Sequence, residues 1–357
     1  MHKKLFIPGP VEVRDDVLEQ LSVPMIGHRT KEATALQQAI SDKIRQLMYT
    51  KNEILLSTSS GSGLMEGAVR SCTAKRAAVF SIGAFGDRWY KMCVANNVPA
   101  DKFSAELGQA TDPAEVDRVL ATGKYDVVTI THNETATGVA NPLNELAAVI
   151  SKYPDVVWLV DAVSSLGGAK IEVDRLGIDV CITSTQKCIG LPPGMSFCSV
   201  SEKAIEQAKT VKHRGLYFDL VELYRFVKEK PYQYPSTPSL PHMTALNYQL
   251  DRILAEGLEE RFARHSEMAA VVRAWAKERY ALYSDPAHLS ETVTCITNTR
   301  GFSVAALNKA LGERGYMISN GYGALKEQTF RIAHMADCTP ADLRGLLDTI
   351  DEVVETL

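Results

Sequence analysis

Five short apolar runs recur through the first two-thirds of the chain, and each ends in polar or small residues. Between them lie stretches with helical spacing, such as 31–48, where Leu36, Ile40, Ile44 and Leu47 share one face. The hydrophobicity of the runs is continuous, which is typical of strands buried on both faces. The pattern predicts an α/β fold with a mainly parallel sheet flanked by helices. The runs are EILLSTSS (53–60), AAVFSIG (77–83), YDVVTITHNE (125–134), VVWLVDAVSS (156–165) and DVCITSTQ (179–186).

The polar residues that follow these runs indicate where a site would form. Asp161 comes directly after four apolar residues, and Lys187 follows the fifth run. In open α/β sheets, ligands bind beyond the carboxyl ends of the strands. We therefore expect these side chains to face one shared site.

The composition excludes several classes of protein. Of 357 residues, 45% are hydrophobic and 23% are charged, and the formal net charge of −4 does not suit a nucleic-acid backbone as partner. Apolar runs fall short of the ~20 residues that span a bilayer. The start MHKKLFIPGP reaches Pro8 after three apolar residues, which argues against a signal peptide.

Seven cysteines are spread along the chain without any C-x-x-C pair. An odd, scattered set fits reduced thiols in a cytoplasmic protein, buried as small hydrophobic side chains. No His/Cys cluster has the spacing of zinc ligands, so we expect no metal site.

The last third has a different organisation. Residues 231–241 carry four prolines and cannot form a regular helix or central strand. A long helical stretch over 243–280 follows, then strand-like 291–298, helical 303–315, strand-like 327–335 and helical 339–357, the last with a capping box of Thr339 and Asp342. We expect an N-terminal segment (1–15) over the site, a large domain (16–250) and a small α+β domain (251–357).

Asp161 and Lys187 suggest one particular chemistry. A carboxylate at the end of a buried strand needs a partner, either the helix that it caps or a cationic nitrogen. A lysine among small polar residues can stay partly neutral and form a Schiff base with an aldehyde. A pyridinium nitrogen on Asp161 and an aldehyde on Lys187 would belong to one cofactor, pyridoxal 5′-phosphate.

This cofactor also needs a place for its phosphate. The sequence SSGSG (59–63), between a strand and a helix, offers hydroxyls, backbone N–H groups and a helix N-terminus. By itself such a turn is more often an ordinary loop. Together with Asp161 and Lys187, each at the end of a strand, it predicts a cofactor site.

The motifs DAVSSLGG and TSTQKCIGLPPG, with HNETATG upstream and PGP near the start, resemble those of the class V aminotransferases of PLP fold type I. Within that family the chain is most similar to the alanine–glyoxylate/serine–pyruvate (serine–glyoxylate) branch. The resemblance covers essentially the whole chain. It implies a large domain with a mainly parallel sheet and a smaller C-terminal domain.

The resemblance implies roles for individual residues. Lys187 would carry the cofactor as a Schiff base and then move the proton between the substrate Cα and the cofactor, and Asp161 would pair with the pyridine nitrogen. The phosphate would lie on Ser60, Gly61 and Ser62, with Gln186 as a further donor.

The cofactor ring would lie between two side chains. Phe85 in GAFGDRW occupies the place of the stacking aromatic residue, with Trp89 as the alternative. Val163 would press on the opposite face, and Thr135 would lie near the phenolic oxygen.

The remaining implied residues bind substrate or link subunits. Tyr234 and Thr237 in YPST match residues that reach the phosphate of the neighbouring subunit, which implies a homodimer with shared active sites. Arg331 would bind the substrate α-carboxylate, and Gly9 would bring main chain close to the substrate.

The substrate is less constrained. His28 and Arg29 resemble a pair that meets the substrate phosphate in phosphoserine aminotransferases, although a structural ion pair near the dimer interface is the better account. Arg214 and Tyr217 are further candidates for the site mouth. The expected reaction moves an amino group from a serine- or alanine-like donor to glyoxylate or pyruvate by ping-pong chemistry. The alternatives are a phosphoserine:2-oxoglutarate aminotransferase and a cofactor-binding homologue without turnover.

Overall fold

The computed structural model describes residues 2–357. Helices and strands alternate from residue 53 to residue 200 and again after residue 280. The helices are α1 (Asp15–Glu19), α2 (Lys31–Leu47), α3 (Gly61–Cys72), α4 (Ala84–Ala95), α5 (Pro113–Leu120), α6 (Leu143–Ile150), α7 (Val173–Leu176), α8 (Glu202–Thr210), α9 (Leu220–Lys228), α10 (Leu240–Glu256), α11 (Leu258–Arg279), α12 (Val304–Glu313) and α13 (Pro340–Val354). The strands are β1 (Lys4–Leu5), β2 (Glu53–Ser57), β3 (Ala77–Ser81), β4 (Ala100–Ser104), β5 (Val127–Thr131), β6 (Asn133–Glu134), β7 (Val139–Ala140), β8 (Val157–Asp161), β9 (Val180–Ser184), β10 (Ser196–Val200), β11 (Ala281–Leu282), β12 (Val293–Thr297), β13 (Tyr316–Met317), β14 (Ser319–Asn320) and β15 (Thr329–Ala333).

Seven strands form the large sheet, in the order β2-β10-β9-β8-β5-β3-β4. Only β10 runs antiparallel to its neighbours, so the predicted mainly parallel sheet is confirmed. All five predicted runs are strands of this sheet. The sequence did not reveal β4, a half-exposed edge strand, or β10, whose serines interrupt its apolar pattern.

Both faces of the large sheet are covered, as the continuous hydrophobicity predicts. Neighbouring strand residues point to opposite faces, so Leu56 and Ile130 join one apolar cluster while Leu55 and Leu159 join another. Helices α2 and α10 cover the first face, and α3, α8 and α9 cover the second. Because the strands other than β10 run in the same direction, their carboxyl ends lie at one edge of the sheet.

The long helical stretch predicted over 243–280 is confirmed, but it is not continuous. It is two helices, α10 and α11, which meet at Gly257. Gly257 has φ +88°, a backbone conformation that a helix cannot continue and that glycine adopts at low cost. The capping box of α13 is confirmed, with the Thr339 side chain on the Asp342 amide and the Asp342 side chain on the Thr339 amide.

The C-terminal part has its own antiparallel sheet, β11-β12-β15-β14, and its own apolar cluster, which includes Met268 of α11 and Ile350 of α13. The cluster of the large sheet extends as far as Ile253. The N-terminal residues cross to this part, because β1 pairs with β13. The domain limits at 15 and 250 stay predictions.

Six of the seven cysteines are buried, and Cys338 is half-buried. All seven are free thiols. Within the described chain, no helix combines the length and the apolarity needed to cross a bilayer.

Candidate active site

A cavity of about 160 Å³ lies beyond the carboxyl ends of β8 and β9. It collects most of the residues that the sequence predicts for the cofactor, from five separate segments of the chain. Its lining comprises Ser60, Gly61, Ser62, Met65, Phe85, Arg88, Thr135, Asp161, Val163, Ser164, Ser184, Gln186 and Lys187.

Lys187 enters the cavity from the turn after β9. Its backbone, at φ −116° and ψ −135°, interrupts the helical turn Thr185–Ile189, so the side chain leaves the turn toward the cavity. The Nζ atom donates to the backbone oxygen of Pro8. Burial lowers the pKa of Lys187 to about 8, which makes the neutral amine accessible near physiological pH.

Asp161 is the last residue of β8. One carboxylate oxygen accepts a hydrogen bond of 2.9 Å from the Val163 amide. Within residues 2–357 the other oxygen accepts no hydrogen bond. Burial raises the pKa of Asp161 to about 6. The next helix begins only at Val173 with Glu172 before it, so the helix-cap alternative for Asp161 is wrong.

The predicted phosphate segment is the first turn of α3. Ser60 is the N-cap residue, and Gly61 and Ser62 are helical rather than part of a loop. A Cβ on Gly61 would lie 2.5 Å from Val163 Cγ2, so only glycine fits there. The segment therefore presents the amides of a helix N-terminus to the cavity, which favours an anion.

Two polar atoms at the cavity lack partners. The Ser184 hydroxyl and the Gln186 side-chain oxygen are buried and make no hydrogen bond within residues 2–357. A buried polar group without a partner is costly unless a ligand or water completes it. The open carboxylate oxygen of Asp161 suits an N–H group of a ring, and the Ser184 hydroxyl can donate to a phosphate. The Gln186 oxygen only accepts, so the phosphate-donor role predicted for Gln186 would belong to its NH₂ group.

Phe85 and Val163 both line the cavity, as the resemblance implies. Trp89, the alternative stacking residue, is fully buried in the apolar cluster under α4 and does not line the cavity. The Thr135 hydroxyl donates to the Ser164 hydroxyl at 2.8 Å, and both side chains face the cavity.

Arg331 lies on β15 beside the cavity. Its guanidinium donates hydrogen bonds to one residue of the large domain and to one residue of the C-terminal part. Nη1 donates to the Thr135 backbone oxygen at 2.9 Å, and Nε and Nη2 donate to the Asn320 backbone oxygen at 3.2 and 3.0 Å. Three of the five N–H groups of the guanidinium are thus in use. One N–H remains on each terminal nitrogen, which is what a bidentate carboxylate requires.

Gly9 lies directly against Lys187. A Cβ on Gly9 would be 2.6 Å from Lys187 Nζ, so a larger residue there would displace the lysine. The N-terminal segment therefore meets the cavity at Pro8 and Gly9.

The residues assigned to the second subunit or to a second anion do not line the cavity of this chain. The Tyr234 hydroxyl accepts from the Thr58 amide at 3.2 Å, and Thr237 is exposed. Arg29 donates to the backbone oxygens of Tyr234 and Pro235 at 2.8 and 3.3 Å. No carboxylate within the described chain pairs with Arg29, so the ion pair expected for it near a dimer interface stays a prediction.

The two further candidates for the site mouth also lie away from the cavity. Arg214 donates to Asp219 at 2.8 Å and packs beside α8 and α9. His28, the other residue considered for a substrate phosphate, is half-buried beside Arg29. Tyr217 stays 45% exposed.

Sequence reasoning missed Met65, Arg88 and Ser164, all of which line the cavity. Arg88 donates to the Ser62 hydroxyl at 2.9 Å, and its guanidinium lies 4.8 Å from the centre of the Phe85 ring. Its position three residues after Phe85 on a helix was an available signal, because residues at i and i+3 share a face.

Comparison with known proteins agrees with this geometry. Residues 18–337 match the family described as aminotransferase class-V. An uncharacterised aminotransferase of Methanocaldococcus jannaschii is 35% identical, with 99% of this chain and 93% of that protein aligned. The L-aspartate–glyoxylate aminotransferase of Paracoccus denitrificans is 30% identical, with 99% of this chain and 91% of that protein aligned.

A solved structure extends the agreement to the fold. The crystal structure of ureidoglycine–glyoxylate aminotransferase from Bacillus subtilis has a TM-score of 0.92 and 26% identity, covering 100% of this chain and 94% of that one. The expected PLP fold type I is confirmed. The chain belongs to the class-V aminotransferase family, whose cofactor is pyridoxal 5′-phosphate.

Proposed function

We propose that this aminotransferase moves an amino group from a small serine- or alanine-like amino acid to a 2-oxo acid such as glyoxylate or pyruvate. The observation that carries the proposal is the meeting of Lys187, Asp161 and the first turn of α3 at one cavity. When bound, pyridoxal 5′-phosphate supplies an aldehyde for the amine and a ring that withdraws electrons from the substrate Cα.

The residues around the cavity would divide the work. The first turn of α3 and Gln186 hold the phosphate, and Asp161 holds the proton on the ring nitrogen. Phe85 and Val163 fix the plane of the ring. Lys187 Nζ would hold the aldehyde, and the same atom would move a proton to and from the substrate Cα, because its lowered pKa suits both directions of transfer.

Arg331 would bind the α-carboxylate of the donor. Its two remaining N–H groups match the two oxygens of a carboxylate, and its orientation is fixed by two backbone carbonyls. Arg331 would thus fix the carboxylate on the substrate Cα, while Lys187 would act on the proton of the same carbon. Gly9 leaves room for the substrate where any side chain would strike Lys187.

A small donor is supported by the charges at the cavity. In the described chain its cationic residues are Lys187, Arg88 and the neighbouring Arg331, and Arg88 already binds Ser62 of the phosphate turn. Arg29, which would serve a phosphoserine donor, is instead bound to backbone carbonyls. Two of the similar proteins act with glyoxylate according to their names, which favours glyoxylate as acceptor.

The proposal includes a homodimer in the cytoplasm, with Thr237 of each subunit at the phosphate of the other. Mixed dimers test the sharing. Lys187→Ala and Thr237→Ala proteins, each weakly active alone, should regain activity when their subunits are exchanged, because one site per mixed dimer is then intact. Mixtures that stay at the sum of the separate activities would contradict shared sites.

The substrate proposal is tested by adding single amino acids to the yellow holoenzyme and following its visible band. Serine, alanine or aspartate should convert the band within the mixing time, and glyoxylate should restore it. Conversion by phosphoserine alone, reversed by 2-oxoglutarate, would establish the alternative. Borohydride treatment followed by peptide mapping should place the cofactor on Lys187. Protein that takes up no pyridoxal 5′-phosphate would end the proposal.

A further inference from the structure

Glu134 is a fully buried carboxylate that has no role in the chemistry described above. It lies in β6, three residues beyond the end of β5. One carboxylate oxygen accepts from the Phe85 and Gly86 amides at 3.0 and 3.2 Å, and the other accepts from the Ala136 amide at 3.0 Å. All three donors are backbone N–H groups.

The first two donors belong to the opening turn of α4. Amides in the first turn of a helix lack partners within the helix, and a carboxylate placed there is stabilised by the helix dipole. Glu134 supplies that carboxylate from another segment of the chain. Because the Phe85 amide is one of the bonds, the carboxylate fixes the residue whose ring faces the cavity.

The third donor ties Glu134 to its own turn. The bond to Ala136 closes the segment around Thr135, whose hydroxyl faces the cavity. The backbone oxygen of Thr135 accepts from Arg331 Nη1 at 2.9 Å. One carboxylate therefore joins the element that carries Phe85 to the element that orients Arg331.

The Glu134 side chain packs directly against Gly83. A Cβ on Gly83 would lie 2.7 Å from both Cγ and Cδ of Glu134, so the side chain occupies the space beside Gly83. Burial raises the pKa of Glu134 to about 7, against three N–H groups that favour the carboxylate. Burying a carboxylate costs free energy, and here three backbone N–H groups offset that cost.

We infer that Glu134 is a positioning residue that sets both the cofactor-stacking ring of Phe85 and the carboxylate-binding Arg331. This inference rests on the proposed function, since it assumes the roles given to Phe85 and Arg331. Glu134 itself touches neither cofactor nor substrate.

A matched control exists at the opposite end of the same strand. Asp126, directly before β5, also accepts three backbone N–H groups, from Ala74, Lys75 and Arg76 at 2.8–2.9 Å. It is buried as well, but it lies far from the cavity lining. Glu134→Gln and Asp126→Asn each replace one carboxylate oxygen by an NH₂ group that faces N–H donors, so both lower stability.

The two variants should differ at the site. For Glu134→Gln we expect the dissociation constant of pyridoxal 5′-phosphate from apoprotein and the KM of the amino donor each to rise about tenfold or more, the factor of one charge-assisted hydrogen bond. The visible circular dichroism of the bound cofactor should also change. Asp126→Asn should leave all three at their wild-type values.

Equal values for the two variants, with wild-type protein binding the cofactor normally, would overturn the inference and leave the proposed function intact. Wild-type protein that binds no cofactor would instead remove the proposed function. If Glu134→Gln does not fold, Gly83→Ala displaces the carboxylate without changing its charge. It should show the same three changes, and wild-type behaviour in that variant would overturn the inference.

Discussion

Strand β9 has a lysine and an aspartate near each of its ends, and within the described chain only one of the two pairs forms a salt bridge. Before the strand, Asp179 accepts from Lys203 Nζ at 2.7 Å, from the Ser201 hydroxyl at 2.7 Å and from the Trp158 amide at 2.9 Å. That carboxylate is 4% exposed and has partners on both oxygens. It joins three neighbouring segments at the amino end of the sheet.

Beyond the strand, Asp161 is equally buried at 4% exposed but has a single hydrogen bond. Lys187 lies nearby, and the described chain contains no salt bridge between them. Since buried polar groups normally find partners, the open oxygen of Asp161 suits a ligand that would complete the site. The amino end of the sheet is built for stability, and the carboxyl end keeps polar groups open for a ligand.

The sharpest test exchanges the two lysines for alanine. Lys187→Ala should lower kcat by at least about four orders of magnitude, because both the anchor of the cofactor and the proton carrier are lost. Lys203→Ala should keep the wild-type kcat and lower only stability. Steady-state transamination of both variants with one donor measures the difference, and a comparable loss in both would remove the distinction between the two ends.

The second test removes the charge of Asp161 and keeps its shape. Asp161→Asn retains an oxygen for the Val163 amide but cannot hold the proton on the ring nitrogen as a carboxylate does. Activity should fall about a hundredfold, the effect of losing one buried charge-assisted hydrogen bond. The matched Asp179→Asn variant should keep its activity, so loss of activity in Asp179→Asn would show that the carboxyl end is not special.

Arg331→Lys tests a further residue at the cavity, at the carboxyl end of the sheet. Lysine keeps the positive charge but cannot make two parallel bonds to a carboxylate. We expect the KM of the donor to rise about tenfold or more, while the affinity for pyridoxal 5′-phosphate stays unchanged. An unchanged KM, measured with the preferred donor at saturating acceptor, would remove Arg331 from the substrate site.

Much of this arrangement could be predicted from the sequence. The β-branched runs gave the parallel strands, and the polar residues after them, Asp161 and Lys187, lie at the same cavity as expected. These are local patterns, set by burial on two faces and by the common direction of parallel strands.

The features that could not be predicted depend on contacts between distant segments. Glu134 reaches the amides of α4 from 48 residues away, and Arg331 meets a carbonyl 196 residues away. The helix face that Arg88 shares with Phe85 was readable in the sequence, but its hydrogen bond to Ser62 depends on how α3 packs against α4. The break at Gly257 was missed because the apolar pattern continues through it.

The smallest expected effect is on the stability of the apoprotein. Replacing a buried aspartate by asparagine should raise stability at the carboxyl end of the sheet and lower it at the amino end. In apoprotein the buried Asp161 has its pKa raised from 3.8 to about 6, so folding favours its protonated form. The stability that this gives is present below the unfolded pKa and is lost as the pH rises through about 6. At about pH 8 the ionised carboxylate therefore destabilises the apoprotein by up to about 3 kcal/mol.

Asp161→Asn should raise the unfolding temperature of the apoprotein by a few degrees at about pH 8, and the gain should shrink by about half at about pH 5. Asp126→Asn should lower it at the higher pH, because an NH₂ group replaces one of the two oxygens that accept from the Ala74, Lys75 and Arg76 amides. Calorimetry of both variants at the two pH values gives the signs. Adding pyridoxal 5′-phosphate should reverse the order of wild type and Asp161→Asn, because the open carboxylate then has its partner. If Asp161→Asn lowers apoprotein stability as Asp126→Asn does, then both ends of the sheet are built in the same way, and the unpaired oxygen of Asp161 is not kept open for a ligand.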